Sequence, residues 1–227
     1  MARDLSQWTP CPVPGEAVLT GYGVRLEPFA ADRHIEPLFA TLCGPGNESL
    51  WDWILHGPFT TQGALRDFFL TRNASGEWRT MVIVDEASGA CLGTASYMRL
   101  RPDQGSAEIG AVLYGQALQR TRAGTAAFHL MATHLFDDLG YRRFEWKCNA
   151  QNAASGRAAL RYGFSREGRF RNDYVWRGRN RDTDWYSIID CEWPGVKAAL
   201  DAWLDAANFG ETGEQHESLS AIRDRLG

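Results

Sequence analysis

The stretch from Glu108 to Thr125, E-I-G-A-V-L-Y-G-Q-A-L-Q-R-T-R-A-G-T, concentrates residues able to do chemistry. A strand-like run enters a glycine-containing loop. The loop opens a helix predicted over about Thr121 to Leu139, closed by Gly140 just past its end. Arg120 and Arg122 lie at its start, and Asp137 and Asp138 near its finish. The helix macrodipole favours the reverse order. The arrangement makes sense if a bound anion sits on the first-turn N–H groups, held in part by the arginines. The plain alternative is two solvated arginines, each costing about a few tenths of a kcal/mol. No G-x-x-x-x-G-K-[ST] is present, and no G-x-G-x-x-G follows a strand, which argues against a nucleotide-hydrolysing site.

The elements that must position this loop follow from periodicity. Residues 1–17 carry three prolines and read as an extended arm. Val24 to Glu27 alternates like a strand, and Ile35, Leu38, Phe39 and Leu42 have helical spacing ended by Gly44-Pro45-Gly46. Leu50 to Phe59 is aromatic and irregular, and Gln62 to Thr71 is a short helix. Strands are predicted at 78–84, 91–99 and 107–114, in meander order. Another strand, 143–148, follows the long helix. Asn152 then begins a helix to Tyr162, ended by Gly163, and a hairpin turns near Arg177-Gly-Arg-Asn. Lys197 to Ala206 is a final helix, and the polar tail from Asn208 has no clear pattern. The expected class is α+β with a mixed sheet, in one domain over 18–195 and a helical extension and tail over 196–227.

Bulk composition narrows the function. The chain has 227 residues, with 44% hydrophobic and 23% charged, enough for a sizeable core. A net charge of −4 argues against nucleic acid as the main partner. No apolar run approaches membrane-spanning length, and the first fourteen residues lack the apolar centre of a secretory leader. Five widely spaced cysteines with no C-x-x-C fit a reduced, cytoplasmic protein without structural zinc. His129 and His134, five apart on a helix, do not share a face as metal ligands, so no metal is expected.

The run Gln119-Arg120-Thr121-Arg122-Ala123-Gly124 resembles the phosphate loop Q/R-x-x-G-x-G/A of GNAT-type N-acetyltransferases, in particular the RimJ/RimL-like branch. Gln119 and Gly124 match, and Arg122 replaces the first glycine in the Q-R-T-R form of that branch. Trp51 to Phe59, Tyr141 to Lys147, Asn152 to Phe164 and Gly178 to Trp185 extend the likeness over most of residues 20–195.

The resemblance implies a mostly antiparallel sheet that splays between two parallel strands, with acetyl-CoA in the splay. The pyrophosphate would meet the backbone of Arg120 to Gly124 and Thr125, with pantetheine along the strand containing Ala111, Val112 and Leu113. The reaction would be acetyl transfer to a primary amine by direct attack in a ternary complex. The acceptor would be a protein N-terminus, a free amino acid or amine, or an amine-bearing toxin or antibiotic, and a homodimer is an open option. A backbone N–H at about Ala111 or Val112 would steady the oxyanion.

Glu108 stands where one branch of the family carries its general base; the plain alternative is an exposed strand glutamate paired with an arginine. Asn152 matches a family position that touches pantetheine, although helix capping alone accounts for it. The family's tyrosine acid falls on Ala159 here, which leaves Ser155 as candidate acid, and Tyr162 is expected to face elsewhere. Eight arginines between 157 and 181, against Glu167 and Asp173, read either as a solvated hairpin face or as a partner for coenzyme phosphate or an acidic substrate. Where this branch is expected to have a His and a bulky aromatic, the chain has Ala111 and Leu113. Those side chains are expected to shape the acceptor pocket. They also keep open a coenzyme-binding sensor or scaffold without catalysis.

Overall fold

The structure, a computed structural model, describes residues 4–227, so the first three residues of the expected arm lie outside the described residues. Eight strands form one open sheet: β1 (Leu19–Gly21), β2 (Val24–Pro28), β3 (Trp78–Asp85), β4 (Cys91–Arg101), β5 (Ser106–Tyr114), β6 (Arg143–Asn149), β7 (Ser165–Trp176) and β8 (Arg179–Ile189). Their order is β1-β2-β3-β4-β5-β6-β8-β7. Every neighbouring pair is antiparallel except β5 and β6.

Strand alternation divides the core into two layers. On β3, Met81 and Ile83 join one cluster while Val82 and Val84 join the other. The second cluster packs under α1 (Ala31–Cys43) and α2 (Gln62–Ala74), through Leu38, Leu42, Leu65 and Phe69. The first takes up Phe128 of α3 (Arg122–Thr133), Ala159 of α4 (Ala153–Tyr162), Leu200 of α5 (Trp193–Leu204) and Leu219 of α6 (Leu219–Leu226).

Helix boundaries follow their caps. Thr121 Oγ1 accepts the Gly124 N–H at 3.1 Å and starts α3. Asn152 Oδ1 accepts the Ser155 N–H at 3.1 Å and starts α4, which Gly163 closes at φ +100°. The helix expected to reach Leu139 stops being α-helical at Thr133 and widens into a π turn over His134–Asp138. Within that turn Asp138 pairs with His134 at 2.8 Å and Asp137 accepts the Trp193 indole at 2.7 Å. The reversed end charges are thus matched locally at this end. Two short elements, β1 and α6, were not foreseen. Three residues of strand and eight of helix carry too little periodicity to stand out from a polar background.

Candidate active site

The site originates in a defect of the sheet. β5 and β6 pair only from Ser106↔Arg143 to Ile109↔Trp146, after which β5 stays with β4 and β6 with β8. Against β4, the ladder passes from Ser96↔Gly110 to Thr94↔Leu113 and skips Ala111 and Val112. Two residues therefore oppose one, a β-bulge, with Ala111 at φ +46°. The bulge bends β5 away from β6 and opens a wedge.

Two cavities fill the wedge and share Val112, Trp146, Asn152 and Ser155 as common walls. The smaller, of about 350 Å³, is lined by Glu108, Ala111, Lys147 and residues of the 53–56 loop and the β7–β8 hairpin. The larger, of about 890 Å³, runs along the loop before α3 and the start of that helix. Its lining includes Arg120, Arg122 and Arg161 and no carboxylate.

Glu108 lies in the smaller cavity, only 4% exposed, so the exposed-strand alternative is overturned. Its Oε2 is 3.1 Å from Lys147 Nζ and 3.6 Å from Arg99 Nε. Burial pushes the carboxyl above its usual range, and the two cations only partly pull it back. Ser155 Oγ accepts the Trp146 indole N–H at 3.0 Å, which leaves the hydroxyl proton available to donate. Beside it, burial pushes the Cys148 thiol up, opposed by the Ser155 hydroxyl.

In the segment expected to meet phosphate, Arg120 is exposed at φ +61°. Arg122 reaches the Leu204 carbonyl at the end of α5 and lies over the Phe209 ring at 4.9 Å, while its Nε is buried without a hydrogen-bond partner. Gln119 donates to the Tyr114 carbonyl at 2.9 Å, and so braces the loop. Gly124 has a structural reason of its own. A Cβ there would meet the Leu118 carbonyl oxygen at 2.8 Å and the Tyr114 ring at 3.2 Å. Thr125 is buried and accepts from Arg161 Nη1 at 3.0 Å.

Two expected positions behave differently. Leu113 is buried in the second core cluster and lines neither cavity, because the bulge re-aims β5 beyond Val112. Its side chain therefore shapes neither cavity, whereas Ala111 lines the smaller one. Ala123 also lines neither cavity and packs against the first core cluster. Tyr162 lines the larger cavity, stacked on Phe128 at 4.4 Å, contrary to the expectation that it faces elsewhere. His56 and Arg72 were missed. His56 shares a 2.9 Å hydrogen bond with Arg72, and burial together with that cation holds its pKa below the usual value. His56 lies inside the aromatic stretch Trp51 to Phe59 that carries part of the resemblance, but a lone histidine there gives no signal of its pairing with Arg72.

A family model described as an acetyltransferase (GNAT) domain matches residues 24–165. The chain belongs to the GNAT acetyltransferase family. A GCN5-related N-acetyltransferase from Brucella melitensis is 40% identical, with a TM-score of 0.93, over 97% of this chain and 100% of that one. A probable GNAT-family acetyltransferase from Chromobacterium violaceum is 36% identical, with a TM-score of 0.80, over 86% and 96%. The ribosomal-protein-S5-alanine acetyltransferase from Vibrio fischeri shares the fold at 16% identity, with a TM-score of 0.62, over 78% and 98%. No curated protein matches the sequence. The splayed sheet is that of a GNAT acetyltransferase, and Gln119 to Gly124 run from the end of the loop after β5 into the first turn of α3.

Proposed function

We propose that this GNAT protein transfers an acetyl group from acetyl-CoA to a primary amine by direct attack in a ternary complex. The meeting of the two cavities at Val112, Trp146, Asn152 and Ser155 supports this reading, because it offers two reactants one point of contact. The larger cavity fits a polyphosphate ligand. Three arginines and no acid line it, and a buried Arg122 Nε lacks a partner. Arg120, Arg122 and Arg161, with the backbone of Arg120 to Thr125, would hold the phosphates, and the bulge and Asn152 the pantetheine arm. Bound acetyl-CoA supplies an already activated thioester carbonyl, so no metal is required.

The chain's own residues have three tasks. Glu108 removes a proton from the acceptor amine, directly or through water. Its burial makes it a stronger base than an ordinary carboxylate once ionised. This matters little for an α-amine, with a pKa of roughly 7.7–8.0, and greatly for a lysine near about 10.4. The unpaired backbone of Ala111 and Val112 steadies negative charge on the carbonyl oxygen. Ser155, with its oxygen engaged by Trp146, directs its hydroxyl proton toward the departing sulfur.

The test is calorimetric stability with coenzyme A, followed by thiol release against a panel of amines. Coenzyme at one hundred times its dissociation constant should add about 2.7 kcal/mol. No shift at millimolar coenzyme would sink the reading. Tight binding with no thiol release across the panel would identify a sensor or scaffold instead.

A further inference from the structure

Charge in the smaller cavity does not balance. Arg72 is paired with Glu77 and bonded to His56, which is held toward its neutral form, and Lys147 is paired with Glu108. These account for the acids lining the cavity. Arg181 remains. It makes no ion pair among the described residues, and its recorded ring contact is Tyr174 at 5.4 Å. The nearby Asp182 accepts from the Asn172 backbone, and Asp184 is held by Arg166 and Arg169.

Unused donors surround this cation. Arg181 Nε is buried with no hydrogen-bond partner. Thr183, two residues along β8 and therefore on the same strand face, is 2% exposed, and its Oγ1 also lacks a partner. Asn149 faces Thr183 across the ladder and lines the same cavity. Its Oδ1 accepts the Gln151 N–H at 2.9 Å, and its amide N–H₂ makes no hydrogen bond among the described residues. One cation, a hydroxyl and an amide, with no competing acid, make a receptor for a carboxylate. Arg181, Cys148 and Ser155 line the same cavity. The carboxylate would therefore sit near the transfer point.

The cavity is also small and walled. Trp53 of the irregular segment stacks on Trp176 at the hairpin tip, with ring centroids 6.2 Å apart, and joins its two sides. A volume of about 350 Å³ suits a compact molecule better than a polypeptide end.

We propose that Arg181, Thr183 and Asn149 bind the carboxylate of the acceptor, and that the acceptor is a free amino acid and not a protein N-terminus. This deepens the acetyltransferase reading and rests on it. A peptide N-terminus presents a neutral amide where a free amino acid presents an anion.

The experiment compares kcat/KM, by thiol release at saturating acetyl-CoA, for the twenty proteinogenic amino acids and their α-carboxamides. For the best acceptor the acid should exceed its carboxamide by on the order of ten- to a hundredfold, the range of a charge-assisted hydrogen bond. Arg181→Gln should collapse that ratio through KM, Arg181→Lys should keep part of it, and Thr183→Val should lower it several-fold. Equal values for acid and carboxamide, or a ratio that survives Arg181→Gln, would overturn the proposal. So would peptides beginning with Asp or Glu outperforming every free amino acid. If no acceptor turns over, the acetyltransferase reading fails, and titration calorimetry with N-acetylated amino acids and their carboxamides decides separately. Carboxylate preference lost in Arg181→Gln would sustain the subsite, and no difference between the two ligand forms would remove it.

Discussion

Ser155 holds a structural hydrogen bond and has a proposed role at the leaving sulfur, and removing its hydroxyl measures both. The oxygen accepts the Trp146 indole N–H at 3.0 Å, and Trp146 is a buried side chain. Ser155→Ala leaves that donor without a partner, which costs about 1–3 kcal/mol. For a domain of this size each kcal/mol lowers the melting temperature by about 2–4 °C. The loss should therefore depend on Trp146. In a Trp146→Phe background the donor is already gone, and Ser155→Ala should cost less by about 1 kcal/mol or more. The assay is a double-mutant cycle by thermal or urea unfolding, with turnover recorded on the same four proteins. Turnover should fall in Ser155→Ala while coenzyme affinity stays within a few-fold, and Ser155→Cys should recover part of the loss. Stabilities that add within about 0.5 kcal/mol would refute the hydrogen bond. Parent-like turnover where chemistry limits the rate would show that water protonates the leaving sulfur.

Glu108→Gln should lower turnover at neutral pH by roughly a hundredfold, with a deficit that shrinks as pH rises; an unchanged pH–rate profile makes Glu108 structural. Folded Glu108 keeps its proton to a higher pH than its usual 4.5. Its contribution to stability is therefore full below that value and declines as pH rises through the folded pKa, and urea melts across that window should show a flatter decline in Glu108→Gln. Arg120→Ala should raise the KM for acetyl-CoA with little change in melting temperature, because Arg120 is exposed. Arg122→Ala should do the same and also lower stability by about 1–2 kcal/mol, since it loses the Leu204 carbonyl and the Phe209 ring; equal melting curves for the two variants would contradict this. Gly124→Ala should destabilise by about 1–3 kcal/mol even without ligand, owing to the Leu118 carbonyl and Tyr114 ring, and a neutral or stabilising result in urea unfolding would refute that.

The strands and the loop before α3 were legible because their signals are local: alternation, Thr121 and Asn152 as caps, Gly140 and Gly163 as stops. Glu108 was legible as a candidate by its spacing from Gln119, but not its burial with Lys147. That pairing comes from the β5–β6 register, which no short window encodes. The same limit hid the smaller cavity. Its walls come from β5, β6, the 53–56 loop and the late hairpin, and only folding brings Arg181 and His56 to one space. The arginine-rich stretch 157–181 read more readily as a solvated face than as a phosphate or acid partner. The structure divides it, with Arg166 and Arg169 on Asp184, Arg143 drawing in Glu167, and Arg161 turned to the larger cavity. Leu113 misled because the resemblance placed it beside Ala111 at the acceptor, whereas the bulge between them sends Leu113 into the core.

The grip of Arg122 on the Leu204 carbonyl and the Phe209 ring ties the first turn of α3 to residues that follow the family-matched region. Trp203, Phe209 and Gln215 wall the larger cavity, and Gln215 accepts the Trp203 indole at 2.8 Å. Coenzyme bound in that cavity would therefore touch this tail, and its binding would be coupled to the tail's order. Amide hydrogens near Phe209 and Gln215 should exchange more slowly when coenzyme is present, and trimming the chain after Leu204 should cost ligand affinity at a distance from any reacting atom.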